Sequence, residues 1–269
     1  MMWDMGSDPL WDMGSDPLSQ KCKLTKTVVI NLIRYSKILE KNPREIVLLK
    51  SLPCHWGRCL FCDYIDDNEE DDHYINKVNK EVLENVTGEF KQLEVINSAS
   101  VFQLPKESLE EIKNVAYSKG IERLYFESHY HYKDRLDEIR DYFKGIDIIF
   151  KCGIESFDHD FRNNYLNKGV HFDDYKEVAK HFESICLLVG IKGQTREMIA
   201  RDIEILEKHF KYGCINIYVE NTSPVKRDEE LINWFRDNYS YLEEYDNIEI
   251  LWNNTDFGVG GDANENQNK

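Results

Sequence analysis

Three of the chain's seven cysteines stand within nine positions, in Pro53-Cys54-His55-Trp56-Gly57-Arg58-Cys59-Leu60-Phe61-Cys62-Asp63-Tyr64. A C-x4-C step runs directly into a C-x2-C step, so Cys54, Cys59 and Cys62 can offer three thiolates to one inorganic centre, and thiolate is the ligand of zinc and of iron–sulfur clusters. A structural zinc site is closed by four protein ligands, and no second C-x2-C or H-x3-H pair follows downstream. Two readings stay open at this point. In one, His55 or a distant cysteine closes a zinc loop that serves an interaction protein as a rigid platform. In the other, three sulfurs leave an inorganic centre open for chemistry. Cys152, Cys186 and Cys214 each lie inside or beside an apolar run and read as small core residues, and Cys22 carries no inference.

The elements that position this loop are short β-branched runs alternating with longer amphipathic ones, the pattern of βα units on a parallel sheet. Strands are expected at Ile46–Lys50, Leu93–Asn97, Arg123–Glu127, within Ile146–Glu155 over half its length, at Ile185–Val189 and Ile215–Glu220, and at Ile248–Trp252. Helices are expected at His73–Phe90, Leu109–Lys119 with a Ser108…Glu111 capping box, Asp134–Phe143, Tyr175–Phe182, Glu197–Phe210 and Glu229–Asn238. The expected fold is α/β, a barrel or partial barrel of parallel strands, with a doubly wound sheet as the alternative. In both, ligands gather at the C-terminal ends of the strands. The cysteine loop follows the first of these strands. Polar residues follow the others: Asn97-Ser98-Ala99-Ser100, Glu127-Ser128-His129, Glu155-Ser156, the Gly190–Thr195 turn, Tyr218-Val219-Glu220, and Asn254 with Asp256. His131 and the alternating Tyr130 and Tyr132 extend the third of these segments.

Composition narrows the classes. A net charge of -16 repels a phosphate backbone, and no basic tract offsets it, so a large nucleic acid is not an expected partner. No run of about 18 apolar residues marks a membrane span, and no signal peptide is evident, so a cytoplasmic protein without membrane partners is expected. The octapeptide WDMGSDPL occurs twice in tandem near the N-terminus. Residues 1–20 therefore read as a disordered vector-derived scar, residues 21–258 as a single domain, and the polar residues 259–269 as a disordered tail.

With three cysteines after the first strand and polar strand ends around them, the sequence resembles the radical S-adenosylmethionine (SAM) superfamily from Glu45 to about Gly258. That resemblance implies a partial (β/α)6 barrel of parallel strands, a [4Fe–4S] cluster on Cys54, Cys59 and Cys62, and a fourth iron chelated by SAM. It also implies an external one-electron reductant and a 5'-deoxyadenosyl radical that takes hydrogen from substrate. It further places Phe61 beside the adenine, Asn97 or Ser98 at the SAM amino group, and Glu127, Glu155 or Ser156 at the ribose or amino-acid moiety. Two departures stand out: the first spacing is x4 rather than x3, with Gly57 available to absorb the extra residue, and the family's Gly-Gly-Glu is missing. Within the superfamily, the short chain, CHWGRCLFCDYIDDN and WNNTDFGVG are most similar to the small queuosine lyases, which release the base queuine from queuosine or its 5'-phosphate. The implied substrate is a small nucleoside or nucleotide, with Asn216, Tyr218, Glu220, Asn254, Asp256 and His129 as its contacts. Lys192, Arg196 or the helix start at Thr195 would then take a phosphate. The alternative within the superfamily is another small metabolite or a peptide.

Overall fold

The computed structural model describes residues 33–253, which fall within one compact unit, Leu32–Lys269. The tandem octapeptide, Cys22, Asn254, Asp256 and residues 259–269 lie outside the described residues.

Eight strands form one sheet in sequence order: β1 Tyr35–Ile38, β2 Arg44–Leu49, β3 Gln92–Asn97, β4 Arg123–Glu127, β5 Asp147–Glu155, β6 Ser184–Val189, β7 Tyr212–Ile217 and β8 Ile248–Leu251. All neighbours from β2 to β8 are parallel, and β1 is added antiparallel to β2. Between the strands run α1 Asp72–Leu83, α2 Lys106–Ser118, α3 Leu136–Tyr142, α4 Tyr175–Ala179, α5 Arg196–His209 and α6 Glu229–Tyr239. This is a partial barrel, so the expected class holds and the doubly wound alternative does not.

The alternation along each strand sorts side chains to two faces. Val47, Leu49, Val95, Phe126, Phe150, Leu187 and Ile215 belong to the large apolar core with Ile112, Ile203 and Phe235 of the helices. The opposite positions carry charges. Arg44 bonds Glu94 (2.5 Å) and reaches across to Glu249 on β8 (2.6 and 2.8 Å), while Lys151 bonds the other oxygen of Glu94. A mutually satisfied ion network thus fills the inner face at its lower end, and the groups at the upper end of the same strands are free to face a ligand.

Several elements depart from expectation for identifiable reasons. β5 uses nine of the ten residues of Ile146–Glu155 rather than half of them, ending in a register shift between Gly153 and Glu155. β7 stops at Ile217, because Tyr218 turns away and its hydroxyl bonds Val225 O (3.1 Å) and Ser223 (3.0 Å) within the following loop. α1 ends at Leu83 and not near Phe90, since Thr87 and Gly88 donate their N–H groups to Glu45 (both 2.7 Å). Ser108 does not cap α2. It is buried, accepts from Asn79 Nδ2 (2.9 Å) and donates to Asn76 Oδ1 (2.6 Å), and Pro105 occupies the N-cap position. β1 has no counterpart among the expected strands.

Candidate active site

The cysteine loop leaves β2 and is pinned by backbone acceptors and amide side chains from four other segments. Cys54 N donates to Asn68 Oδ1 (3.1 Å), whose Nδ2 donates to Ser98 O (3.1 Å). Leu60 N donates to Leu166 O (2.9 Å), and Asn221 Nδ2 donates to Phe61 O (2.9 Å). Trp56 Nε1 donates to Asn167 O (2.6 Å) and Asn167 Nδ2 returns to Arg58 O (2.9 Å). The extra residue of the x4 step is absorbed where the spacing required it: Gly57 has φ +58°, a left-handed conformation that costs glycine little.

The loop roofs a cavity at the C-terminal ends of β3 to β7. Its lining includes Cys54, Cys59 and Cys62, together with Phe61, Asn97, Ser98, Glu127, Glu155, His129, Asn216 and Tyr218 of the residues marked in the sequence. Other marked residues are elsewhere. Ser156 is buried behind the wall, its carbonyl accepting from Arg162 Nη1 (2.9 Å) and its Oγ from Asp158 N (3.1 Å). Glu220 is exposed, accepts from Arg227 N (3.1 Å) and stands 3.8 Å from Lys226. Lys192, Thr195 and Arg196 are exposed and do not line the cavity; Thr195 caps α5 through Met198 N (3.2 Å).

Several lining residues went unmarked as contacts, among them Lys151, Lys168, Cys186 and Cys214. Lys168 forms an ion pair with Glu155 (2.7 Å) and lies 5.4 Å from the Phe61 ring. Its charge is opposed by burial but is held firmly by Glu155 and by the nearby Cys59 sulfur. Lys151, Cys186 and Cys214 line the deeper part, so two cysteines read as core residues in fact face the cavity. A lone lysine inside the apolar run Ile148-Ile149-Phe150-Lys151-Cys152 was a usable signal for Lys151. Lys168, in an irregular loop, offered none.

Burial dominates the electrostatics. It pushes the Cys59 thiol up to about 11 and Cys62 to about 12, with Lys168 pulling both the other way. It pushes the Glu127 carboxyl up to about 7, the charges of Lys151 and Lys168 opposing the repulsion of Glu94 and Glu155. It holds the His129 imidazole down to about 3, aided by Lys168, so that ring is neutral. His129 Nδ1 accepts from His131 N (3.1 Å), and its Nε2 faces Lys168 O at 3.4 Å. The backbone itself is strained at Glu155, which has φ +64°. Arg162 fixes the Ser156 carbonyl just after it, and Asp202 accepts from Phe157 N (2.8 Å).

The donor set fits the group that the resemblance implies. Three sulfurs come from one loop, a buried ammonium offsets the negative charge that thiolates bring, and Asn97 Oδ1 is buried without a hydrogen-bond partner while its Nδ2 donates to Ser100 O (3.0 Å). An unmet acceptor on a cavity wall calls for a donor from a ligand.

No family model matches the chain. A queuine lyase from Clostridium spiroforme, solved bound to SAM and queuine, superposes with a TM-score of 0.83 at 54% identity, over 86% of this chain and 100% of that one. The chain belongs to the queuine lyase family. Its partial barrel is the radical SAM fold, and the zinc-platform reading falls with that. Among curated proteins, an uncharacterized protein of Methanocaldococcus jannaschii is 26% identical over 191 residues, 63% of this chain; the chain spans 50% of that protein's length. Streptococcus suis SuiB bound to S-adenosylmethionine resembles this queuine lyase family member only distantly, at 16% identity and a TM-score of 0.46 over 76% of the chain.

Proposed function

We propose that this chain is a radical SAM lyase that releases queuine from queuosine or queuosine 5'-phosphate. The observation that carries the reading is the likeness along the full length of a queuine lyase, at 54% identity. Cys54, Cys59 and Cys62 would hold the [4Fe–4S] cluster, and Asn97 Oδ1 would accept from the SAM amino group. Phe61 would lie against the adenine, and Glu155, fixed by Lys168, would take the SAM ribose. When bound, the cluster and SAM supply a radical that takes hydrogen from the substrate ribose.

The remaining work is positioning, which the walls perform with few mobile parts. His129 is neutral and locked by hydrogen bonds at both ring nitrogens, so it can contact a nucleoside without bringing charge. Asn216, whose Oδ1 is 3.6 Å from Cys214 Sγ, can meet donor groups on the base. Tyr218 spends its hydroxyl on its own loop, so it supports the wall through shape. The loop Lys192–Arg196 is remote from the cavity, so a 5'-phosphate would rely on other contacts.

The test is spectroscopic. Protein purified without oxygen, reconstituted with iron and sulfide and then reduced should show a [4Fe–4S] EPR signal that changes when SAM is added. Bound zinc, no sulfide and no response to SAM would contradict the reading.

A further inference from the structure

Of the charged groups that the strands turn to the inner face, every one but one is paired. Lys168 binds Glu155 (2.7 Å), Lys151 and Arg44 bind Glu94, and Arg44 also binds Glu249. Glu127, at the end of β4 and in register with Lys151 of β5, lines the cavity with no hydrogen-bond partner among the described residues. The paired groups balance: Lys151, Lys168 and Arg44 against Glu94, Glu155 and Glu249. An ionised Glu127 therefore adds a negative charge for which these pairs leave no cation of its own, since Lys151 and Lys168 are already committed to Glu94 and Glu155. A carboxylate in such a place is unfavourable until a cation arrives.

Resting on the queuosine reading above, we infer that Glu127 is a specificity determinant of the substrate, taking the ammonium of the aminomethyl arm that distinguishes queuine from plain 7-deazaguanine. This replaces the contact with SAM that the family resemblance implied. One monocation would give Glu127 the partner it lacks, and SAM's own ammonium has Asn97 Oδ1 to meet. A charge-assisted contact with the carboxylate also orients the arm, and with it the base and ribose.

The pH dependence has a definite sign. The groups facing Glu127 are Lys151 and Lys168, which favour its charge, Glu94 and Glu155, which oppose it, and the thiols of Cys152 and Cys186, both pushed up by burial; burial pushes the free Glu127 carboxyl up to about 7. Protonation removes the partner of the ammonium, so queuine should bind more weakly as pH falls through that value.

Isothermal titration of the reconstituted, SAM-loaded protein with queuine and with 7-deazaguanine tests this. Glu127→Gln should weaken queuine by about 10- to 100-fold, change 7-deazaguanine by less than about threefold, and leave the EPR response to SAM in place. The wild type's loss of queuine affinity at low pH should vanish in Glu127→Gln, while Glu127→Asp, which keeps the charge, should retain a preference for queuine. Equal weakening of both bases, or parallel loss of SAM, would overturn the assignment. If the wild type binds queuine and Glu127→Gln is indifferent, only this inference fails; if the wild type neither binds queuine nor releases it from queuosine, the proposed function fails with it.

Discussion

At the scale of single residues, the chemistry rests on groups whose environments are unusual. Replacing Cys59 or Cys62 by Ala should remove iron and sulfide from the reconstituted protein and abolish turnover, because two sulfurs cannot hold the cube; retained cluster in either variant would contradict their role. Asp202 makes a different prediction. Burial raises its carboxyl from 3.8 to about 7 against the hydrogen bonds from Ser156 and Phe157. A raised carboxyl favours folding in its protonated form, so its stabilising contribution is present below pH 3.8 and is lost progressively as pH rises to about 7. Asp202→Asn should flatten that part of the pH dependence of the melting temperature, which a melting series between pH 4 and 8 would show. The three cysteines, Phe61 and the polar strand ends were legible in the sequence because loops after parallel strands converge whatever their contents. Glu220 was misplaced from the cavity because β7 ends three residues earlier than its apolar run suggests, and Lys168 was invisible because its partner Glu155 is brought to it only by the fold.

At the scale of elements, the cysteine loop depends on a neighbour that shares no motif with it. Trp56 packs on Gly169, where an added Cβ would lie 2.5 Å from the indole and where φ is +67°. Gly169→Ala should cost about 1–3 kcal/mol from strain and displacement of the indole, and should lower cluster retention while the barrel stays folded. Iron content and circular dichroism measured together would separate these effects; full iron retention would show that the loop does not need this contact. The strand and helix order was readable from periodicity, since each apolar run buries one face. The failures have local causes: β1 reads Tyr-Ser-Lys-Ile, a polar pair inside a four-residue edge strand with no buried face, and the tail of the α1 pattern was drawn away by the Glu45 carboxylate.

At the scale of the molecule, the inner face joins an ion network below to a ligand cavity above. Single charges at inward positions of apolar strands, Arg44, Glu94, Lys151 and Glu249, announce that face in the sequence, though which pairs form depends on the sheet order. Glu94 serves both Arg44 and Lys151, so Glu94→Gln leaves the buried Lys151 without its carboxylate and Arg44 with Glu249 alone, and should destabilise the protein by about 3–5 kcal/mol. A chemical-denaturation midpoint unchanged from the wild type would show the network to be dispensable. Among the described residues no helix is long and apolar enough to cross a membrane. The central claim is that this cavity releases queuine with a radical derived from SAM. The most direct measurement is anaerobic incubation of the reconstituted protein with queuosine, SAM and a strong one-electron reductant, followed by mass spectrometry. The account predicts queuine and 5'-deoxyadenosine appearing together, and neither when SAM is left out. Release of queuine that proceeds equally without SAM, or 5'-deoxyadenosine formed with queuosine left intact, would contradict it.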